Sequence, residues 1–76
     1  MKVLHLIVKG EPCKGEVLLE VARALGPAGA SVSKGYLSDP STYRLSLSFL
    51  DRAAIDLNAI KAKLAEAGFS LVGQVQ

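Results

Sequence analysis

The chain has 76 residues, of which 50% are apolar and 21% charged, with nine basic and seven acidic side chains giving a net charge of +2. This is too apolar for a disordered segment, and no apolar run approaches the roughly 18–20 residues that cross a bilayer. The charge is too weak and too dispersed for a nucleic-acid footprint, and the single Cys13 excludes an intrachain disulfide and does not make a zinc site.

The opening MKVLHLIVKG has no small-residue cleavage site after it and reads as a strand rather than a signal peptide. The expectation is one domain over residues 1–76, cytoplasmic, without direct membrane insertion; Met1 so close to the first strand fits a complete small protein. A chain this small buries only about 60% of its unfolded surface, so a half-apolar composition leaves apolar surface for self-association to cover. With no Trp, two Tyr and two Phe, the core must be aliphatic.

Residues 2–8 (KVLHLIV) form the first predicted strand. Leu4, Leu6 and Val8 share one face, and Val3, His5 and Ile7 the other. A strand apolar on both faces belongs at the centre of a sheet. Gly10, Pro12 and Gly15 break the pattern into a loop, GEPCKG. Residues 16–25 then change to helical spacing, with Val17, Val21 and Ala24 beside Leu18, Ala22 and Leu25. Glu16 and Glu20 suit the helix N-terminus, and Gly26-Pro27 is a stop signal.

Residues 31–37 (SVSKGYL) read as a strand interrupted at Gly35. Ser38-Asp39-Pro40-Ser41 is a turn, because proline presets φ and the Asp and Ser side chains satisfy local backbone donors. Residues 42–50 alternate cleanly: Tyr43, Leu45, Leu47 and Phe49 on one face, Arg44, Ser46 and Ser48 on the other, so the two runs make a hairpin. Asp51 or, with better support, Asp56 caps the second helix; Ile55 and Ile60 then occupy the staple positions. Leu57, Ile60, Leu64 and Ala67 form its buried stripe, and Gly68 fits the left-handed residue that ends it, with Phe69 folding back on Leu64. Residues 70–75 make the last strand.

The order β-α-β-β-α-β, with two right-handed crossovers, places both helices on one face of an antiparallel sheet. The predicted fold class is therefore α+β, a ferredoxin-like sandwich with strand order 4-1-3-2. Its open face would carry Val3, His5 and Ile7 beside Arg44, Ser46 and Ser48. That mixture is too apolar for plain solvent and too polar for a deep core, which makes Val3, His5, Ile7, Ser46 and Ser48 the candidate interface of a homodimer.

The fold hosts many functions, so individual residues must decide. A soft-metal carrier needs two thiolates in the first loop; this chain has one, and Cys13 reads as a small semi-buried side chain at a helix start. No metal or cofactor is expected. Gly10 and Gly15 have P-loop spacing, but Glu16 and Val17 stand where Lys and Ser/Thr are required. An RNA-recognition face needs aromatics where this chain has His5, Ser46 and Ser48. His5, the only histidine, has serines near it but no acid to orient it, so no catalytic residues are assigned. The remaining candidate is the loop Gly10, Glu11, Pro12, Cys13, Lys14 and Gly15. Its glycines let backbone approach a ligand, the following helix N-terminus suits a carboxylate, and Glu11 and Lys14 could address an amine and an acid. The alternative reading of the same loop is a plain β-α connection.

The run from Leu4 to Val32, LHLIVKGEPCKGEVLLEVARALGPAGASV, resembles an ACT-type regulatory domain. The likeness rests on Gly10, Pro12 and Gly15 in the loop, Leu18, Val21 and Leu25 on the helix, and Gly29-Ala30-Ser31-Val32 at the strand entry. Gly10-Glu11, Gly35 and the closing LAEAGFSLV are similar to the NIL subgroup of methionine-importer ATPase subunits and some ferredoxins. In departure from the ACT pattern, Cys13-Lys14 separate Pro12 from Gly15, and Tyr43-Arg44 stand where NIL domains carry a further glycine. The resemblance implies a non-enzymatic amino-acid-binding regulatory module, dimeric, with effectors held near the first loop and helix. The competing expectation is a protein–protein assembly module with no small ligand.

Overall fold

The computed structural model describes residues 1–34 and 38–75. Its elements are β1 (Lys2–Lys9), α1 (Gly15–Ala24), β2 (Gly29–Lys34), β3 (Thr42–Phe49), α2 (Leu57–Glu66) and β4 (Ser70–Val75). They form an α+β domain with a four-stranded antiparallel sheet in the order β2-β3-β1-β4, which is the expected 4-1-3-2 read from the other edge. The arrangement is compatible with a ferredoxin-like sandwich.

The two strands with the strongest apolar patterns are the central pair. In β1 and β3, Leu6 lies opposite Leu45 and Val8 opposite Tyr43 on the helix-covered face, and His5 lies opposite Ser46 on the other. The core is built from these inward residues with Leu47 and Phe49, Leu18 and Ala22 of α1, Ile60 and Leu64 of α2, and Phe69, so three aromatic rings stand in a core expected to be aliphatic. Phe69 meets Tyr43 edge-on, with ring centroids 6.2 Å apart and planes at 82°, an arrangement favoured by the opposite charges of ring edge and face.

Each helix ends as its sequence dictates. Asp56 caps α2, its carboxylate accepting from the backbone N–H groups of Asn58 and Ala59 at 3.0 and 3.3 Å. Asp51, the other candidate, instead lies 2.8 Å from the Met1 amino group. At the far end Gly68 takes φ 89°, the Gly68 N–H donates to Ala65 and the Phe69 N–H to Leu64. That paired closure satisfies two of the helix's orphan carbonyls. Gly26 ends α1 at φ 84°, donating to Arg23. Pro27, having no N–H, cannot supply the second bond.

Several boundaries and faces differ from expectation. Helix α1 runs from Gly15 to Ala24 rather than over 16–25, and Val17 and Ala24 turn outward while Leu18 and Ala22 take the core. Strand β2 starts two residues earlier, at Gly29, because Gly29 and Ala30 continue the pairing with Ser48 and Leu47; the break expected at Gly35 lies outside the described residues. Leu50 falls beyond β3 and is exposed. Leu57 is 40% exposed: it opens α2 at the sheet edge, where β4 covers it only in part. There the β1–β4 register slips, Ile7 pairing with Gly73 and Val8 with Leu71, so Val72 is an extra residue in the edge strand. Such bulges blunt an edge against further pairing.

Candidate functional site

The loop from Gly10 to Lys14 connects the central strand β1 to α1 and is held from beneath by one hydroxyl. Tyr43 lies in the core with no exposed surface, and its hydroxyl reaches the loop. It donates to the Glu11 carbonyl at 2.6 Å and accepts from the Lys14 N–H at 3.0 Å. Glu11 to Lys14 is a four-residue turn with Pro12 second and Cys13 third, the latter at φ 63°. A turn of this pattern ordinarily closes by a bond from the fourth N–H to the first carbonyl. Here the tyrosine oxygen is inserted into that bond.

The same geometry corrects the expectation for Cys13. Its side chain is exposed, because the left-handed backbone at the turn's apex points the thiol away from the domain. Gly10 also acquires a local reason. A Cβ on it would lie 2.4 Å from the Phe69 ring, so the missing side chain admits that ring to the core. Its N–H donates to the Ser41 carbonyl at 2.9 Å. Gly15 is buried as the first residue of α1.

Glu11 and Lys14 face a cleft of about 270 Å³ whose other walls are Val17 of α1 and the Ala67-Gly68-Phe69 segment after α2. Lys14 is the N-cap of α1 and makes no side-chain cap bond, while Glu16 sits in the helix's first turn. Among the described residues, the ion pairs join Met1 to Asp51 and Lys63 to Glu66, leaving the Glu11 and Lys14 charges for the cleft. The cleft thus combines an acid and a base at its rim with apolar walls. Of the six expected loop residues, Glu11 and Lys14 line it; Gly10, Pro12, Cys13 and Gly15 build the turn around it.

The contributions of Tyr43 and of Ala67 to Phe69 were not read from the sequence. A signal existed for Tyr43: a phenol on a core-facing position requires a partner for its hydroxyl. Tyr43 is the second residue of β3 and pairs with Val8, just before the loop.

The open face gathers the other expected residues. His5 Nδ1 and the Ser46 hydroxyl share a hydrogen bond of 2.9 Å, with both residues half-buried. Val3 is 50% exposed, and Ile7 and Ser48 are half-buried beside them. The β2–β3 connection carries the turn expected from its sequence. The Asp39 carboxylate accepts from the Ser41 N–H and hydroxyl and from the Thr42 hydroxyl, at 2.7 to 2.9 Å. These bonds hold its pKa below the ordinary 3.8, the Ser41 hydroxyl contributing most.

Among the described residues there is no group of three or more His, Cys, Asp and Glu side chains placed to hold a metal ion, and no helix is long and apolar enough to cross a membrane. No protein-family model, curated protein or solved structure matches the chain.

Proposed function

We propose that this chain is a non-enzymatic, ferredoxin-like regulatory module of the ACT type, working in the cytoplasm as a homodimer and binding an amino-acid-like effector beside its first loop. The observation that carries the reading is the cleft with Glu11 and Lys14 at one rim and Val17, Ala67 and Phe69 around it. An ammonium group would pair with Glu11, a carboxylate with Lys14 and the start of α1, and an apolar side chain would rest on the remaining walls. At about 270 Å³ the cleft lies just below the usual range for small-molecule pockets and suits a molecule of amino-acid size. Binding that favours one association state over another would shift that equilibrium, which is all a regulatory ligand needs to do.

A thermal-shift panel of the standard amino acids tests this. A ligand present at about 100 times its Kd stabilises by about 2.7 kcal/mol, a shift on the order of 10–20 °C in a domain this small. Glu11→Gln and Lys14→Gln should each abolish the response. No shift from any amino acid at millimolar concentration overturns the reading.

A second reading, an assembly module without a small ligand, is favoured by two details of the loop. Gly10 is explained by the Phe69 ring and the Pro12-Cys13 turn by the Tyr43 hydroxyl, both internal to the fold. This reading expects a stoichiometric protein partner whose binding ignores amino acids and survives Glu11→Gln and Lys14→Gln.

A further inference from the structure

The uncovered face of the sheet divides into two unlike halves along the seam between β3 and β1. On the β1–β4 side it carries Val3, His5, Ile7 and Val75, with Gly73 opposite Ile7 and the exposed Lys9 at the margin; Val75 is placed there by its pairing with His5. On the β2–β3 side it carries Gly29, Ser31, Ser33, Thr42, Ser46 and Ser48, with Arg44 as the one long side chain. One half is raised and largely apolar. The other is low and lined by small groups.

Two facing sheets pack about 10 Å apart with strands nearly aligned. A twofold axis between them, running along the β3–β1 seam, lays β1 of one copy over β3 of the other and β4 over β2. The pairing registers then fix what meets what. Val75 faces Ser31 of the second copy, His5 faces Ser46, Val3 faces Ser48, and Ile7 meets the stem of Arg44. Every raised residue falls on a small or flexible one, twice over by symmetry. An isologous interface requires this self-complementarity, and the domain supplies it about the middle of its own sheet.

The size of the face suits such a pair. The face measures about 400 Å² in plan per copy, from strand spacing and rise, and more with side-chain relief. A pair hides roughly 1,000 Å², the lower limit for a specific interface, which sets a reversible rather than a permanent dimer. Among the described residues the strands of this face carry no carboxylate, the Asp39 carboxylate meeting it only at its end, on the Thr42 hydroxyl; facing His5 are Ser46 and the diagonal Arg44 from β3, and the uncharged Val75 and Gly73 from β4.

We infer that this face is the self-association surface of the chain, with a second copy as its occupant, and that the two His5 rings beside the twofold axis make the dimer sensitive to acid. Histidine changes charge in the mildly acidic range. On this axis each His5 lies over Ser46 of the second copy and diagonal to the other His5, so two imidazolium ions, added to the two Arg44 guanidiniums beside the same axis with no acid opposite them, oppose association. The inference rests on the dimeric part of the proposed function and not on the effector cleft, which is read separately by thermal shift.

Sedimentation equilibrium from about 1 to 300 µM at pH about 7.5 and 5.5 tests it. The wild-type chain should dimerise reversibly at the higher pH and at least tenfold more weakly at the lower. Val3→Lys and Ser31→Arg, on opposite halves of the face, should each give a monomer with unchanged circular dichroism. Val72→Lys, in the groove between β4 and α2, should leave association intact. His5→Gln should keep the dimer and remove its pH dependence. A wild-type monomer at the highest concentration overturns the inference, as does a dimer that tolerates both face variants or is lost on Val72→Lys. Equal association at the two pH values overturns the role of His5. An amino-acid response retained by the Ser31→Arg monomer would show the cleft working without the dimer, so the two readings can fail independently.

Discussion

Replacing Tyr43 by phenylalanine removes one oxygen and leaves the ring to pack. That oxygen makes two hydrogen bonds, to the Glu11 carbonyl at 2.6 Å and from the Lys14 N–H at 3.0 Å. Each such bond contributes about 1 kcal/mol net, and leaving a group unsatisfied in a dry site costs about 1–3 kcal/mol. Glu11 and Lys14 are exposed residues, so water can reach the freed backbone groups and the lower end applies. The expected loss is about 2 kcal/mol, which lowers Tm by about 8–16 °C in a domain of this size. The change should also be local: in amide hydrogen exchange, Lys14 should lose protection while Leu45 and Leu47 exchange only as the lower global stability requires. Thermal and urea unfolding with residue-resolved exchange measures both. A stability change under about 0.5 kcal/mol with Lys14 still protected would refute the argument. It would mean that the Glu11–Lys14 turn closes directly on itself and that the tyrosine oxygen is dispensable.

Three further changes probe neighbouring parts of the structure. Gly10→Ala drives a Cβ to 2.4 Å from the Phe69 ring, an overpacking that should cost about 1–3 kcal/mol in urea unfolding; adding Phe69→Leu should cost less in that background than in wild type. Cys13→Gly should hold stability level or raise it by up to about 1 kcal/mol, because the native φ of 63° strains any residue with a Cβ; Cys13→Val at the same place should destabilise. The hydrogen bonds to Asp39 hold its folded pKa below 3.8, so its stabilising effect is complete above that value and disappears as pH falls through it toward the folded pKa. The stability gap between wild type and Asp39→Ala should accordingly narrow below pH 3.8 and be flat near neutrality.

Much of this architecture was legible because each signal was local and repeated. Tyr43, Leu45, Leu47 and Phe49 alternate with Arg44, Ser46 and Ser48, and the structure buries the first set and turns the second to the open face. Asp56, Gly26 and Gly68 cap their helices for the reasons their residue types carry. What escaped depends on contacts between segments far apart in the chain. Gly10 resembles a ligand-loop glycine in sequence, yet its nearest constraint is Phe69, 59 positions later. Cys13 resembles a small core residue, but the turn that exposes it is tied to Tyr43. Leu57 fits the apolar stripe of α2 by spacing, but it stands in the helix's first turn, at the edge of the sheet, where nothing further covers it.

These long-range ties also connect the two surfaces of functional interest. Tyr43 and Phe69, in edge contact, hold the loop and the wall of the cleft respectively. Tyr43 belongs to β3, whose next outward residues are Arg44 and Ser46 on the open face. Both residues flank the seam at which a second copy would sit. A ligand that pulled Glu11 and Lys14 together would act on the start of this strand through the Tyr43 hydroxyl. Coupling of that kind is an energetic quantity, measurable as the difference between effector affinity in the dimer and in the Ser31→Arg monomer. If the hydroxyl carries it, Tyr43→Phe should leave both affinities measurable and bring them closer together. If the two affinities are already equal in the wild-type background, the cleft and the face act as separate sites on one scaffold.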